Sequence, residues 1–202
     1  MMTLFLGTDD LWSHRMRIAM GEKGLAAKIL EIDVSNPPPE MADLNPYLTV
    51  PTLVDRDLAI YDSRIILDYL DERFQYPALL PPNPVVRAQL RVALYRLERD
   101  WYGLYDALNA GDAHAKEVLI ASIVSSTEIF RANHYFMSDD FTLVDATIAP
   151  VLARLPQWGI TLPESAAPAL EYAQRVFERP SVAATLPPAF RYEATLSSSA
   201  RL

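Results

Sequence analysis

A proline-rich stretch from Pro77 to Pro84 divides this 202-residue chain into two regions with different hydrophobic patterns. Before it, short apolar runs alternate with amphipathic segments. After it, apolar residues recur every three or four positions, which is the period of a helix. Proline-rich segments are typical of connections between domains. The sequence therefore predicts a first domain over residues 1–76, a linker over 77–84 and an all-helical domain over 85–202.

The first region has the element order of a small α/β domain. Four short apolar segments predict β-strands, over residues 3–6, 28–34, 52–54 and 58–60. One predicted helix begins near Ser13, which can act as its N-cap, and ends at Gly24. A second predicted helix covers residues 64–74. This βαβ–ββα order predicts a four-stranded mixed sheet covered by helices.

The second region contains only helical patterns. Asn83 and Pro84 suit the N-cap and first position of a long helix that extends to Leu108. Further helices are predicted over residues 119–130, from Thr142 onward with Asp145 completing a capping box, and over 169–177 with Leu170 facing inward. The tail from Pro187 onward is rich in Pro, Ser and Ala, and we expect it to be loosely held.

Composition excludes several classes of function. The chain has no cysteine, which removes disulfides, thiolate nucleophiles and thiolate metal ligands. Its net charge of −8 repels a phosphate backbone, so we expect no direct binding of nucleic acid. Neither a membrane-spanning run nor a signal peptide is indicated, and we expect a cytoplasmic protein. The three histidines lack the spacing of metal ligands, so we expect surface or capping roles and no metal site.

Several motifs resemble those of glutathione transferases. Thr49-Val50-Pro51-Thr52-Leu53-Val54 is similar to their Val-Pro segment, Asp62-Ser63 to their Glu-Ser motif, and residues 139–145 to their helix-capping segment. Within that superfamily the chain most resembles the stringent starvation protein A family. The matching stretches run along nearly the whole chain, at residues 61–66, 69–74, 98–102, 154–160 and 175–179.

The resemblance implies a fold, a partner and a mode of action. It implies a thioredoxin-like N-terminal domain followed by an all-α domain, as in glutathione transferases. Members of the family form homodimers and associate with RNA polymerase to alter transcription. We therefore expect a regulator that acts by protein binding, without a cofactor. A dimeric scaffold for another partner has the same fold, and the sequence leaves that alternative open.

Catalysis by a glutathione transferase requires a hydroxyl or thiol that stabilises a thiolate near the first strand–helix turn. By the resemblance, the donor position falls on Asp10, and the small residue three positions later is Ser13. Two negative charges about 4 Å apart repel by roughly 4 kcal/mol at an intermediate dielectric, which is about three pKa units against the thiolate. We expect no catalytic residue, with Ser13 as a helix cap. A glutathione-dependent transferase or isomerase, with Ser13 as donor, is the alternative.

A vestigial glutathione-like subsite is implied by the same resemblance. It comprises Ser13, Val50, Pro51, Asp62 and Ser63. In the family fold the bond before this proline is cis, and the Val-Pro backbone faces a peptide-like ligand. Ser63 and the helix that follows it can hold a carboxylate. Alternatively, Ser63 only caps that helix.

The proline-rich segment is the candidate site for a protein partner. In the stringent starvation protein A family the corresponding segment forms a surface used for partner contact. The candidate residues carried over are Tyr76, Pro77, Leu79, Pro81, Asn83 and Pro84. Prolines keep such a segment extended, so it loses little entropy when it binds. The alternative is a plain connection between two domains.

Overall fold

The computed structural model describes residues 2–187 and 190, and the chain divides into two compact units. Unit 1 ends at Leu79 and unit 2 begins at Leu80, so the division falls inside the predicted linker. Of the tail predicted to be loosely held, only Pro187 and Phe190 are described, and the rest lies outside the described residues. No helix in the described part of the chain combines the length and the apolar character needed to cross a bilayer.

Unit 1 contains the predicted four-stranded mixed sheet. Its elements are β1 (Met2–Gly7), α1 (Leu11–Glu22), β2 (Lys28–Ile32), α2 (Met41–Leu44), β3 (Thr52–Asp55), β4 (Leu58–Tyr61) and α3 (Ser63–Arg73). The strand order is β2-β1-β3-β4. The β1–β2 pair is parallel, and the β1–β3 and β3–β4 pairs are antiparallel. The βαβ–ββα prediction is confirmed, with one added single-turn helix.

The core of unit 1 follows from the central position of β1. Strand β1 is paired along both edges, and the burial of its successive residues Leu4, Phe5 and Leu6 shows that both faces of the sheet are covered here. On one face Phe5 packs with Ile32 and with Met41 of α2. Helices α1 and α3 contact each other, and each contributes buried apolar side chains. The turn between β1 and α1 therefore connects two elements that both pack in the core of unit 1.

Within its described part, unit 2 consists of helices and their connections, with one isolated β-bridge between Tyr135 and Ser138. Its helices are α4 (Pro84–Asp100), α5 (Tyr105–Asn109), α6 (Ala113–Ser125), α7 (Thr127–Ala132), α8 (Leu143–Leu152), α9 (Ala167–Phe177) and α10 (Pro180–Ala183). Short 3-10 helices cover Tyr102–Leu104 and Glu164–Ala166. The prediction of one helix from Pro84 to Leu108 is wrong. Helix α4 ends at Asp100, and a 3-10 helix follows from Tyr102. Trp101 and Tyr102 are both buried, and Gly103 lowers the local helix propensity.

Candidate functional site

The turn between β1 and α1 places Asp10 at the N-cap of α1. Its backbone is extended, with φ −121° and ψ 159°, and its Oδ1 accepts a hydrogen bond from the Ser13 backbone N–H at 2.6 Å. Its carbonyl oxygen accepts the first helical bond, from the His14 N–H at 3.0 Å. A carboxylate at this position is stabilised by the helix dipole. The N-terminus of α1, which is the positive end of the helix dipole, is therefore already paired with the negative charge of the Asp10 side chain.

The Asp10 carboxylate lies against Gly7 and Val50. A Cβ atom built on Gly7 would be 2.1 Å from Oδ2 of Asp10 and 3.3 Å from Cγ2 of Val50, so both groups face the same side of Gly7. Oδ2 is buried, and within the described structure it has no hydrogen-bond partner. The structure thus places an acidic group directly beside the Val-Pro segment.

The prediction that Ser13 caps α1 is wrong. Ser13 is the third residue of the helix and is completely buried. Its Oγ accepts a hydrogen bond from the Gly7 backbone N–H at 2.8 Å, which ties the end of β1 to α1. The physical reason is that Asp10, three residues earlier, is already the N-cap: its carboxylate accepts from the Ser13 backbone N–H, one of the groups without a helical partner. Because Ser13 is buried, its hydroxyl joins two elements and is not presented at the surface.

The Val50–Pro51 peptide bond is cis, as the resemblance implied. Pro51 is buried and Val50 is half-buried. The segment before the bond is held by Asn45, a fully buried residue that donates through Nδ2 to the Thr49 carbonyl at 2.9 Å and to Thr52 Oγ1 at 3.0 Å. Sequence reasoning missed Asn45. A buried amide with several partners is a rigid support, so this part of the subsite is fixed in shape.

The start of α3 also differs from the simple cap that was predicted as the alternative for Ser63. Asp62 is the N-cap, and its Oδ1 accepts from the Arg64 N–H at 2.8 Å. Ser63 is the first helical residue, and its buried Oγ accepts hydrogen bonds from Nε of Arg15, at 3.1 Å, and from Nη2 of Arg15. Nothing in the local pattern around Arg15 indicated that this residue would be buried. The Ser63 hydroxyl therefore links α1 to α3.

Metal binding finds no support in the described residues. No group of three or more His, Asp or Glu side chains within residues 2–187 and 190 is arranged to hold an ion. His114 and His134 are exposed, whereas His14 is buried in α1, so the expectation of a surface or capping role is wrong for His14.

The six predicted partner residues have different environments. Unit 1 contains Tyr76, Pro77 and Leu79, and unit 2 contains the other three, Pro81, Asn83 and Pro84. Tyr76 is 92% exposed, and Pro77 is also exposed. Leu79 is only 2% exposed, so its side chain does not offer a surface to a partner, and that assignment is wrong.

In unit 2 the end of the segment serves mainly to begin α4. Asn83 is the predicted N-cap, and its Oδ1 accepts from the N–H groups of Val85 at 2.9 Å and Val86 at 3.2 Å. Pro84 is the first helical residue, as predicted. Pro81 is half-buried, and its carbonyl accepts from Nε of Arg87 at 3.1 Å. Asn83 and Pro84 remain exposed, so their cap role does not exclude contact with a partner.

A buried ion pair lies behind the exposed loop of unit 1. Nζ of Lys23 is 2.8 Å from Oδ1 of Asp71, and the two side chains are 1% and 4% exposed. The same Nζ donates to the carbonyl oxygens of Phe74, at 2.7 Å, and Pro77, at 2.6 Å. Oδ1 of Asp71 also accepts from the Leu79 N–H at 2.8 Å. Sequence reasoning missed this pair, because Lys and Asp are usually exposed and nothing in their spacing links them.

Comparison with known proteins places these features in a family. The curated stringent starvation protein A homolog of Coxiella burnetii is 43% identical over 190 residues, which cover 92% of this chain and 91% of the relative. The homolog of Histophilus somni is 42% identical over 185 residues, with 89% and 87% covered. The chain belongs to the stringent starvation protein A family.

The fold of this family member is that of glutathione transferases. Residues 11–80 match the model of the glutathione S-transferase N-terminal domain. The solved structure of rice GST1 in complex with glutathione superimposes with a TM-score of 0.84, at 23% identity, and 98% of each chain is covered. At that identity the likeness shows the fold alone. Any chemistry on glutathione by this chain therefore has to be judged from its own residues at the β1–α1 turn.

Proposed function

We propose that this protein is an RNA polymerase-associated regulator of transcription that acts by protein binding, and that it has no glutathione transferase activity. Membership of the stringent starvation protein A family supports the partner, a role in the stress response and a cytoplasmic location. The proposal that this activity is absent rests on the Asp10 carboxylate at the N-terminus of α1.

The electrostatics at this turn oppose a thiolate. Enzymes that lower the pKa of a thiol use donors, cations or the positive end of a helix. Here Oδ1 of Asp10 takes the Ser13 N–H, and Oδ2 adds negative charge beside Val50 without a donor of its own. The nearby Ser13 hydroxyl is buried and accepts from Gly7, so it does not replace the lost donor. A thiol bound beside Val50 would therefore keep its proton.

The exposed loop of unit 1 supports binding of a protein partner. Gln75, Tyr76, Pro77 and Ala78 form a continuous exposed segment, and Tyr76 is the most exposed of the large hydrophobic side chains in the described structure. Tyrosine supplies a large contact area at a low cost in side-chain entropy, and it is enriched at the centres of interfaces. This loop is the element of unit 1 best suited to contact RNA polymerase.

A homodimer is part of the same proposal. Helix α4 carries exposed Val85, Val92 and Tyr95 together with four arginines, whereas unit 1 has 13 acidic and 7 basic side chains. Apolar and basic character on α4 is complementary to acidic character on unit 1 of a second copy. We therefore propose that α4 of one copy contacts unit 1 of the other.

Light scattering tests this pairing. It should give the mass of a dimer for the wild-type protein, and Val92→Glu should shift the protein toward a monomer.

The test of the function is co-elution with purified RNA polymerase at low salt. The wild-type protein should co-elute, and the double variant Tyr76→Ala, Pro77→Ala should do so much more weakly while remaining folded. Tyr47→Ala is the matched control, because Tyr47 is another exposed tyrosine of unit 1, outside the loop. If the wild-type protein does not co-elute, the proposal fails, and a pull-down from native lysate then tests the scaffold alternative.

A further inference from the structure

Lys23 and Asp71 occupy positions where charged residues are costly. Moving an ion pair from water into the protein interior carries a desolvation penalty that the mutual attraction often fails to recover. Asp71 lies in the last turn of α3, where the helix dipole also disfavours a carboxylate. Apolar side chains often replace such a pair without loss of stability, unless the pair also bonds groups that would otherwise lack partners. The role of this pair therefore has to be sought in the groups that it bonds.

Three hydrogen bonds of the pair's side chains reach one loop. Lys23 is the C-cap of α1, where Gly24 has a positive φ of 60° and Leu25 donates from its N–H to the Met20 carbonyl, so the end of the helix is fixed. From this fixed point Nζ reaches the carbonyls of Phe74 and Pro77, on either side of Tyr76. The charged amino group of Lys23 therefore links Phe74 to Pro77, the residues on either side of the exposed Gln75 and Tyr76.

Asp71 completes the arrangement from the other helix. Its Oδ1 accepts from Nζ of Lys23 and from the N–H of Leu79, the last residue of unit 1. Three backbone groups of the segment from Phe74 to Leu79 are therefore bonded to one buried pair. Charge-assisted hydrogen bonds of this kind are about twice as strong as neutral ones. The residues between these anchors, Gln75 to Ala78, are exposed.

We propose that Lys23 and Asp71 are positioning residues for partner binding, which hold the Phe74–Leu79 loop in the conformation that presents Tyr76 to the partner. This inference rests on the proposed function, because it assigns a role to the loop that contacts the polymerase. A loop that is ordered before it binds loses less entropy in the complex. The buried pair supplies that order without touching the partner itself.

The test compares three variants of the full chain: Lys23→Met, Asp71→Leu and the two combined. The combined variant matters most, because it leaves no unpaired charge in the interior and should regain stability relative to the single variants. It still removes the partners of the Phe74 carbonyl, the Pro77 carbonyl and the Leu79 N–H. A purely structural role predicts recovery of binding in the combined variant, whereas a positioning role predicts that binding stays weak.

Two readouts are measured on each variant. The first is chymotrypsin cleavage after Phe74, located by mass spectrometry, which reports opening of the loop and should rise about tenfold. The second is affinity for RNA polymerase, which should fall about tenfold although Tyr76 is intact. Arg17→Met is the matched control. Arg17 also lies on α1 and contacts a carboxylate, Glu31, and a carbonyl, Gly7, but neither belongs to the loop. It should change neither readout.

The outcomes separate this inference from the proposed function. Wild-type cleavage after Phe74 in the folded combined variant would overturn the inference, as would an open loop with unchanged affinity. Failure of the wild-type protein to bind polymerase would overturn the proposed function, and the cleavage rates would still decide whether the pair orders the loop. Increased cleavage together with weakened binding in the combined variant, with Arg17→Met unchanged, would support both.

Discussion

Asp10 in unit 1 and Asp145 in unit 2 are both acidic residues at the start of a helix, but their carboxylates have different surroundings. Both oxygens of Asp145 are fully used. Oδ1 accepts from the Phe136 N–H at 2.9 Å and the Tyr172 hydroxyl at 2.7 Å, and Oδ2 accepts from the Thr142 N–H at 2.8 Å and hydroxyl at 3.1 Å. The predicted capping box of α8 is present. Asp145 therefore serves the stability of unit 2.

Asp10 has one bonded oxygen and one buried oxygen without a partner in the described structure. An unsatisfied buried acceptor costs free energy, which makes Asp10 a poor choice for stability alone, since Ser or Asn caps a helix equally well. The contrast shows that the two carboxylates have different roles. Asp145 stabilises the fold, whereas under the proposed function Asp10 sets the charge beside the Val-Pro segment.

The largest expected effect is that of Asp145→Asn. The amide NH2 would replace one acceptor oxygen, so that two donors face each other inside the protein. We expect the free energy of unfolding of unit 2 to fall by about 3 kcal/mol. Urea unfolding followed by circular dichroism measures the change.

Asp112→Asn is the control for this substitution. Asp112 caps α6 and accepts from the Ala115 N–H at 2.8 Å, but it is exposed, and Asn is an equivalent cap. Its effect should stay within about 0.5 kcal/mol. Equal effects of the two substitutions would remove the distinction between a saturated carboxylate and an ordinary cap.

A smaller effect is expected for Gly7→Ala. The new Cβ would meet Oδ2 of Asp10 at 2.1 Å, so the carboxylate must move and its bond to the Ser13 N–H is lost. We expect a loss of about 1–2 kcal/mol in the free energy of unfolding. In an Asp10→Ala background the same substitution should cost clearly less, because the clash is gone.

Gly103→Ala is the comparison for this cycle, since the nearest atom to its new Cβ is 3.8 Å away. Its effect should be the same with Asp10 or Ala at position 10. If the costs of Gly7→Ala and Asp10→Ala are simply additive, the Asp10 carboxylate does not lie against Gly7 as described.

The smallest effect concerns pH. Burial raises the pKa of Asp145 above its usual value of 3.8, although the hydrogen bonds from Phe136, Tyr172 and Thr142 act in the opposite direction. Burial and the nearby carboxylate also raise the pKa of Tyr172 well above 10, so its hydroxyl keeps donating. The folded state thus holds the Asp145 proton more tightly than the unfolded chain does.

The sign of the pH effect follows from that difference. The stabilisation from protonated Asp145 is fully present below about pH 3.8, the usual value in the unfolded chain, and it is lost as pH rises through the raised native pKa. Carbon-13 NMR titration of the Asp145 carboxyl should give a midpoint above 3.8. A midpoint at or below the usual value would mean that the hydrogen bonds outweigh burial.

Much of the fold could be predicted from the sequence because it depends on local patterns. Strand alternation, the hairpin of β3 and β4, and the caps at Asn83 and Thr142 are set by neighbouring residues. Predictions failed where burial depends on distant residues. Leu170 was expected to face inward, but it is 45% exposed, and Tyr172 and Val176 are the buried residues of α9.

The residues of the candidate site could be predicted from the sequence, but the contacts that they make could not. The resemblance placed Val50 and Ser63 in the subsite and the donor position on Asp10, and the structure brings Asp10 and Val50 to the same side of Gly7. The role of Ser13 was predicted wrongly, because a sequence does not reveal that Asp10 reaches its N–H first. Lys23 and Asp71 are 48 positions apart, and only the fold brings their side chains together.

The measurement that tests the central claim most directly is the pKa of the glutathione thiol, followed by ultraviolet absorbance in the presence of excess protein. The account predicts that the wild-type protein does not lower this pKa and does not turn over a generic electrophile. Asp10→Ser, which keeps a good helix cap and removes the charge, should move the pKa downward if glutathione binds. A lowered thiol pKa with the wild-type protein, accompanied by turnover, would contradict the account.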